Sequence, residues 1–194
     1  MERLHGHNNL LSGLVDLIMY NRKKVWSWAF YDWANSAFST TVMAGFFPIF
    51  FEKYWSNPND VIQSTYHLGW ANSIASIFIA AISPFLGAVA DRGSAKKKFL
   101  FFFAFLGILM TSGLWVVGQG QWQMAVLFYV VASIGYMGGN IFYDSLLPSI
   151  ASNENVDYVS SLGFSVGYIG GGLLFLVNVL MYQHPEWFGI ADGS

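Results

Sequence analysis

The sequence predicts an all-α integral membrane protein with five spanning helices, and three observations carry that prediction. First, 55% of its 194 residues are hydrophobic and only 10% are charged, where soluble domains carry about 25% charge. Second, the apolar residues gather into stretches at 28–51, 67–90, 99–118, 122–147 and 158–182, each long enough to cross ~30 Å of hydrocarbon. Third, no stretch sustains the two-residue alternation that a membrane β-strand needs over roughly ten residues. The chain has no cysteine, which removes disulfides, thiolate metal sites and thiol nucleophiles.

Taken in order, residues 1–27 read as a cytoplasmic lead-in. Leu10, Leu11, Leu14, Val15, Leu17 and Ile18 could line a short helix on the membrane surface, although a weakly structured terminus is the simpler reading. Arg22, Lys23 and Lys24 follow that apolar run, the reverse of the order in a secretory signal peptide. The five helices come next, at 28–182, with Gly and Pro tolerated inside them because neighbouring helices re-satisfy the disturbed backbone. Residues 183–194 form a tail that stops where a sixth helix is expected to start, so the chain is expected to need a partner.

Orientation follows from charge. The stretch GAVADRGSAKKK, Gly87 to Lys98, is the longest polar interruption between apolar segments. With the N-terminus inside, Arg3, Arg22, Lys23, Lys24, Arg92, Lys96, Lys97 and Lys98 are cytoplasmic and only Lys53 lies outside. That imbalance fixes a multi-pass topology with a cytoplasmic N-terminus. Trp26, Trp28, Trp55, Trp70, Trp122 and Trp187 fall near helix ends, where amphipathic rings are expected at the membrane interface.

Charge inside a spanning helix costs at least ~2.5 kcal/mol at mid-bilayer, so two carboxylates stand out. Asp32 lies about one turn inside the first helix. Asn35, Ser36 and Ser39 follow at i+3, i+4 and i+7 and extend a polar stripe that suits a water-lined cavity or a hydrogen-bonded helix contact. Three roles fit Asp32: proton or cation coupling, a gating hydrogen bond or ion pair, and capping of the helix N-terminus. Asp144 lies near the cytoplasmic end of the fourth helix, after Asn140 and Tyr143, where it can reach interfacial water or a loop cation such as Lys96.

Small residues recur where helices are expected to pack closely. Gly163, Gly167 and Gly171 fall at four-residue spacing in the fifth helix, and Gly135 and Gly139 repeat the pattern in the fourth. Such spacing lets helix backbones approach. Catalysis, by contrast, has no motif to stand on: there is no HExxH, GxSxG, P-loop or dinucleotide-binding fingerprint, and His67 and His184 are isolated. The sequence therefore points away from an enzyme, a cofactor, a metal site or a nucleic-acid partner, and towards a lipid bilayer and a small solute.

GAVADRGSAKKK resembles the signature between the second and third helices of the major facilitator superfamily, carried here by Gly87, Asp91, Arg92, Gly93, Lys97 and Lys98. FYDWANSAFSTTV at Phe30–Val42, FYDSLLP at Phe142–Pro148 and GYIGGGLL at Gly167–Leu174 resemble the vacuole-effluxer family of autophagy-associated permeases and their bacterial relatives. The resemblance implies that the five helices form most of the N-terminal half of a twelve-helix transporter working by alternating access. It implies a C-terminal half of the same transporter as partner, a bacterial inner membrane, and efflux of a small solute such as an amino acid. It also implies that Asp91 and Arg92 act in a cytoplasmic latch and that Gly87 sits in a close helix contact. One departure stands out: the stretch 122–147 contains no Arg or Lys, so the fourth-helix Arg found near the latch in many members is absent. The alternative reading is a membrane interaction or sensor protein that keeps the fold without transporting.

Overall fold

The computed structural model describes residues 22–93 and 95–190. The expected surface helix around Leu10–Ile18, the lead-in up to residue 21 and the last four residues of the tail lie outside them. The described chain is an all-α bundle. Helix α1 is already formed at residue 22 and runs as α-helix to residue 37. It continues as a π-helical run, Phe38–Phe46, an α-turn, Phe47–Phe50, and a second π-helical run, Phe51–Trp55. Four α-helices follow: α2, Val61–Asp91; α3, Lys96–Gly113; α4, Trp122–Leu146; and α5, Val156–Gln183. Together with the short turns that extend them, these four are long and apolar enough to cross a membrane.

The first helix differs most from its sequence reading, for two local reasons. It starts at least six residues earlier than 28, so Arg22, Lys23 and Lys24 ride on its first turns; a hydropathy reading ends where charge begins, whereas a helix does not. Its ladder also loosens over the middle. Pro48 has no N–H to give, and the hydroxyls of Ser39 and Thr40 bond to the Ser36 carbonyl at 3.0 and 2.9 Å, competing with the main chain. A widened π-helical pitch accommodates both, and such runs recur at functional sites.

The remaining boundaries have visible causes. Asp60 caps α2, its Oδ1 accepting from Gln63 N at 2.9 Å, an arrangement that satisfies an orphan amide of the first turn. At 31 residues, α2 is ~46 Å long at 1.5 Å per residue. It ends at Gly93, whose φ of +78° is the left-handed conformation that glycine takes at helix C-termini. Helix α3 gives way to a 3-10 turn, Leu114–Val116, and Gly120, also left-handed at φ +77°, donates to Tyr54 O at 3.0 Å, tying the α3–α4 loop to the end of α1.

Helix α4 is the hub. Half of its span is buried, against 6% for α3. Leu86 and Ala90 of α2, Phe103 of α3 and Phe142 of α4 form one apolar cluster. Phe47, Phe51 and Trp55 of α1 meet Ala71 and Ala75 of α2 and Tyr129 of α4 in another, at the opposite end. On the outside, α3 presents Phe101, Phe102, Phe105 and Ile108, a face suited to lipid tails. The up-and-down order of the helices places Arg22–Lys24, Arg92 and Lys96–Lys98 at one end of the bundle and Lys53 at the other.

Two tryptophans depart from the interfacial role expected of them. Trp28 and Trp55 are only 7% and 6% exposed. Each spends its indole N–H on a carbonyl of another segment, Trp28 on Tyr143 O and Trp55 on Val117 O, both at 3.1 Å. Nearness to a helix end did not decide their position; the face they occupy did. Trp26, Trp70 and Trp187 are exposed, and Trp122 stacks on His67 at 3.9 Å between ring centroids.

Candidate functional site

Residues four apart share one face of a helix, so Trp28, Asp32 and Ser36 of α1 form a column, with Ser39 just beyond it. From α4 come Tyr136, Asn140, Tyr143 and Asp144, and from α5 Ser160, Phe164 and Tyr168. These side chains line one cavity of about 270 Å³ between α1, α4 and α5. Asp32, Ser36, Ser39, Asn140, Tyr143 and Asp144 are thus brought together.

Glycine sets how closely α5 approaches. A Cβ at Gly167 would collide with the Asp32 carboxylate and come within 2.9 Å of Ser36 Oγ, so only hydrogen at this position lets the α5 backbone close over the acid. Gly163 meets the Trp28 ring and Gly171 meets Thr40 in the same way. Thr40 Oγ1 lies 2.9 Å from Ser36 O and 3.2 Å from Gly171 O, sharing its single proton across the two helices. On the other side of α4, a Cβ at Gly135 would fall 2.7 Å from Gly107 N, so α3 and α4 touch backbone to backbone. Gly139 accommodates the Tyr31 hydroxyl.

Asn35 stands apart from the rest of the stripe. Its Nδ2 donates to Asn140 Oδ1 at 2.7 Å, joining α1 to α4. It lines a second, mostly apolar space of about 320 Å³ beside α3, together with Phe38, Thr41, Phe103 and Thr111. The polar stripe is therefore divided: Asp32, Ser36 and Ser39 face the first cavity, and Asn35 is bonded to its wall.

Tyr143 is the most enclosed polar group of the cavity. It is 6% exposed, stacks on Trp28 at 4.3 Å and on Tyr31 at 5.2 Å between centroids, and its hydroxyl is buried with no hydrogen-bond partner. Asp144 is exposed at the rim. Lys96 comes close but donates to Ser145 O at 2.7 Å, and neither carboxylate of the cavity has an ion-pair partner among the described residues. Trp28, Tyr136, Ser160, Phe164 and Tyr168 were not singled out from sequence as cavity residues. The signal was present in the four-residue steps Trp28–Asp32–Ser36 and Ser160–Phe164–Tyr168.

The latch-motif residues lie elsewhere. Asp91, Arg92, Gly93, Lys97 and Lys98 are exposed at the basic end. A Cβ at Gly87 would meet nothing within 4 Å among the described residues, so this chain supplies no close helix contact there.

A bundle of apolar helices around a polar cavity defines a multi-pass membrane protein. Within that class, the family described as "Vacuole effluxer Atg22 like" matches residues 20–65 and 59–188, and the chain belongs to that family. It is similar to a protein of Bacillus subtilis (strain 168) named "Uncharacterized MFS-type transporter YxiO", with 37% identity over 79% of this chain and 36% of that one. An "Uncharacterized protein" of Aquifex aeolicus (strain VF5) is 32% identical over 87% of this chain and 42% of its own length. "Autophagy-related protein 22" of Pichia angusta is 25% identical over 51% of this chain and 21% of its own. The chain thus spans about two-fifths or less of the relatives it matches. No solved structure matches it.

Proposed function

We propose that the five helices form most of the N-terminal half of a secondary transporter that moves a small solute by alternating access, with the cavity between α1, α4 and α5 as this half's share of the solute site. The observation that carries the reading is the cavity itself: two carboxylates with no ion-pair partner among the described residues, hydroxyls and aromatic rings converge on a space of about 270 Å³. Charge in a spanning segment is retained where it serves a path or a site, and no catalytic constellation competes for the role. Amino acids leaving the compartment are the solutes first to be tried, in line with the family.

In this reading the N-terminus is cytoplasmic, in a bacterial inner membrane, and the exposed Asp91 and Arg92 latch against the transporter's second half. The open space around Gly87 is then filled by that half. The test is flux into vesicles containing the complete transporter, across a panel of amino acids and sugars with and without an ion gradient. Gradient-driven accumulation of at least one solute is expected. Accumulation of none, under every gradient, would favour a sensor or interaction role.

A further inference from the structure

The cavity's charge balance is one-sided. Asp32 and Asp144 both line it, and among the described residues no Lys, Arg or His does. Lys96 is committed to the Ser145 carbonyl, and no cation forms an ion pair with either acid among the described residues. A second feature is independent of the acids: Tyr143, 6% exposed, lines the same space with a buried hydroxyl that has no partner among the described residues. A buried hydroxyl without a partner costs free energy until something bonds to it. The remaining walls are aromatic, from Trp28, Tyr136, Phe164 and Tyr168.

A ligand that satisfies all three features must carry positive charge, donate several hydrogen bonds from one point, and tolerate π-faces around it. An ammonium group does so: its N–H bonds can go to the Asp32 and Asp144 carboxylates and to Tyr143 Oη, while its carbon substituents lie against ring faces that attract cations. Among the described residues, this half's share of the site offers a carboxylate or phosphate no cation, and a neutral polyol leaves its two charges unbalanced. We propose that the cavity seats an ammonium group of the solute. This rests on the cavity being the solute site, and it adds the class of solute.

The absence of cysteine from the chain allows a test that needs no transport. Ser160 lines the cavity, and Asn153 is exposed in the loop before α5. Ser160→Cys and Asn153→Cys are expressed separately in the 194-residue chain, and open membrane fragments are treated with 2-aminoethyl or 2-sulfonatoethyl methanethiosulfonate. Normalised to the loop position, the cationic reagent is expected to react at Ser160→Cys about tenfold faster or more, the scale of one charge-assisted hydrogen bond. Adding Asp32→Asn or Asp144→Asn should bring the ratio towards one. Butylammonium should slow labelling, and Tyr143→Phe should weaken that protection several-fold; butyrate and sodium chloride at equal concentration should not protect.

A ratio near one, a ratio unchanged in both Asn variants, or no reaction at Ser160→Cys while Asn153→Cys reacts would overturn the proposal. Equal protection by sodium would make the site one for a metal ion and would overturn it as well. If Asp32→Asn does not insert, Asp144→Asn at the exposed rim carries the test. Flux of some solute by the complete transporter alongside a negative labelling result would sink this inference alone and leave the transport reading standing.

Discussion

Glycine-to-alanine substitution at two positions of this bundle should have opposite effects, and the contrast tests the packing directly. At Gly135 the added Cβ would lie 2.7 Å from Gly107 N, 2.8 Å from Phe103 O and 2.9 Å from Gly107 Cα. All three are backbone atoms, so no rotamer change relieves them. Ordinary contact begins near 3.4 Å, so α3 and α4 must separate by about 0.7 Å, the difference between 3.4 and 2.7. Overpacking of this kind costs ~1–3 kcal/mol, and rigid backbone places it at the upper end. Alanine returns about 1 kcal/mol through helix propensity, leaving Gly135→Ala destabilised by about 2 kcal/mol. At Gly172 the same Cβ meets nothing within 4 Å, so only the propensity term acts and Gly172→Ala should be stabilised by up to about 1 kcal/mol. Unfolding of the two variants by sodium dodecyl sulfate in mixed micelles reads both. A Gly135→Ala protein as stable as the parent would refute the backbone contact between α3 and α4.

Two further outcomes follow from the contacts around α1. Asn35→Ala and Asn140→Ala should each destabilise the bundle, and the double variant should cost less than the sum of the two. The coupling should be about 0.6–2 kcal/mol, the range for hydrogen bonds between membrane helices; a coupling of zero in the same micelle titration would remove the α1–α4 clasp. Trp28→Phe keeps an aromatic ring against Tyr143 but loses the N–H donor to Tyr143 O, and a loss of about 0.5–1.5 kcal/mol is expected. An unchanged unfolding midpoint would mean that the stack alone holds α1 on α4.

Much of the architecture is legible in the sequence because a bilayer allows so few solutions: five apolar stretches between short polar ones become helices. What charge blurs, the sequence reading loses. Arg22–Lys24 look like lead-in and are helix, because a helix entering water keeps its hydrogen bonds beyond the point where its side chains turn polar. The π-helical run Phe38–Phe46 is hidden for another reason: Pro48, Ser39 and Thr40 act on the backbone ladder, which hydropathy does not register.

The site divides in the same way. Spacing alone places Asp32, Ser36 and Ser39 on one face. That Asn140, Tyr143 and Asp144 share their space, and that Asn35 does not, depends on which helices are neighbours and how they are rotated. The inward position of Trp28 is the instructive case. Read by its distance from the helix end it belongs at the interface; read by its four-residue step to Asp32 it belongs to the cavity wall, where Gly163 makes room for it.

The measurement that bears most directly on the cavity as a solute site is the effect of Asp32→Asn on flux by the complete transporter in vesicles, with Glu154→Gln in the exposed loop before α5 as the control. Losing one charge-assisted bond to the solute predicts a fall of about tenfold or more in uptake efficiency for Asp32→Asn at equal folded protein, and no change for Glu154→Gln. Undiminished uptake by the Asp32→Asn protein would contradict the assignment of the cavity.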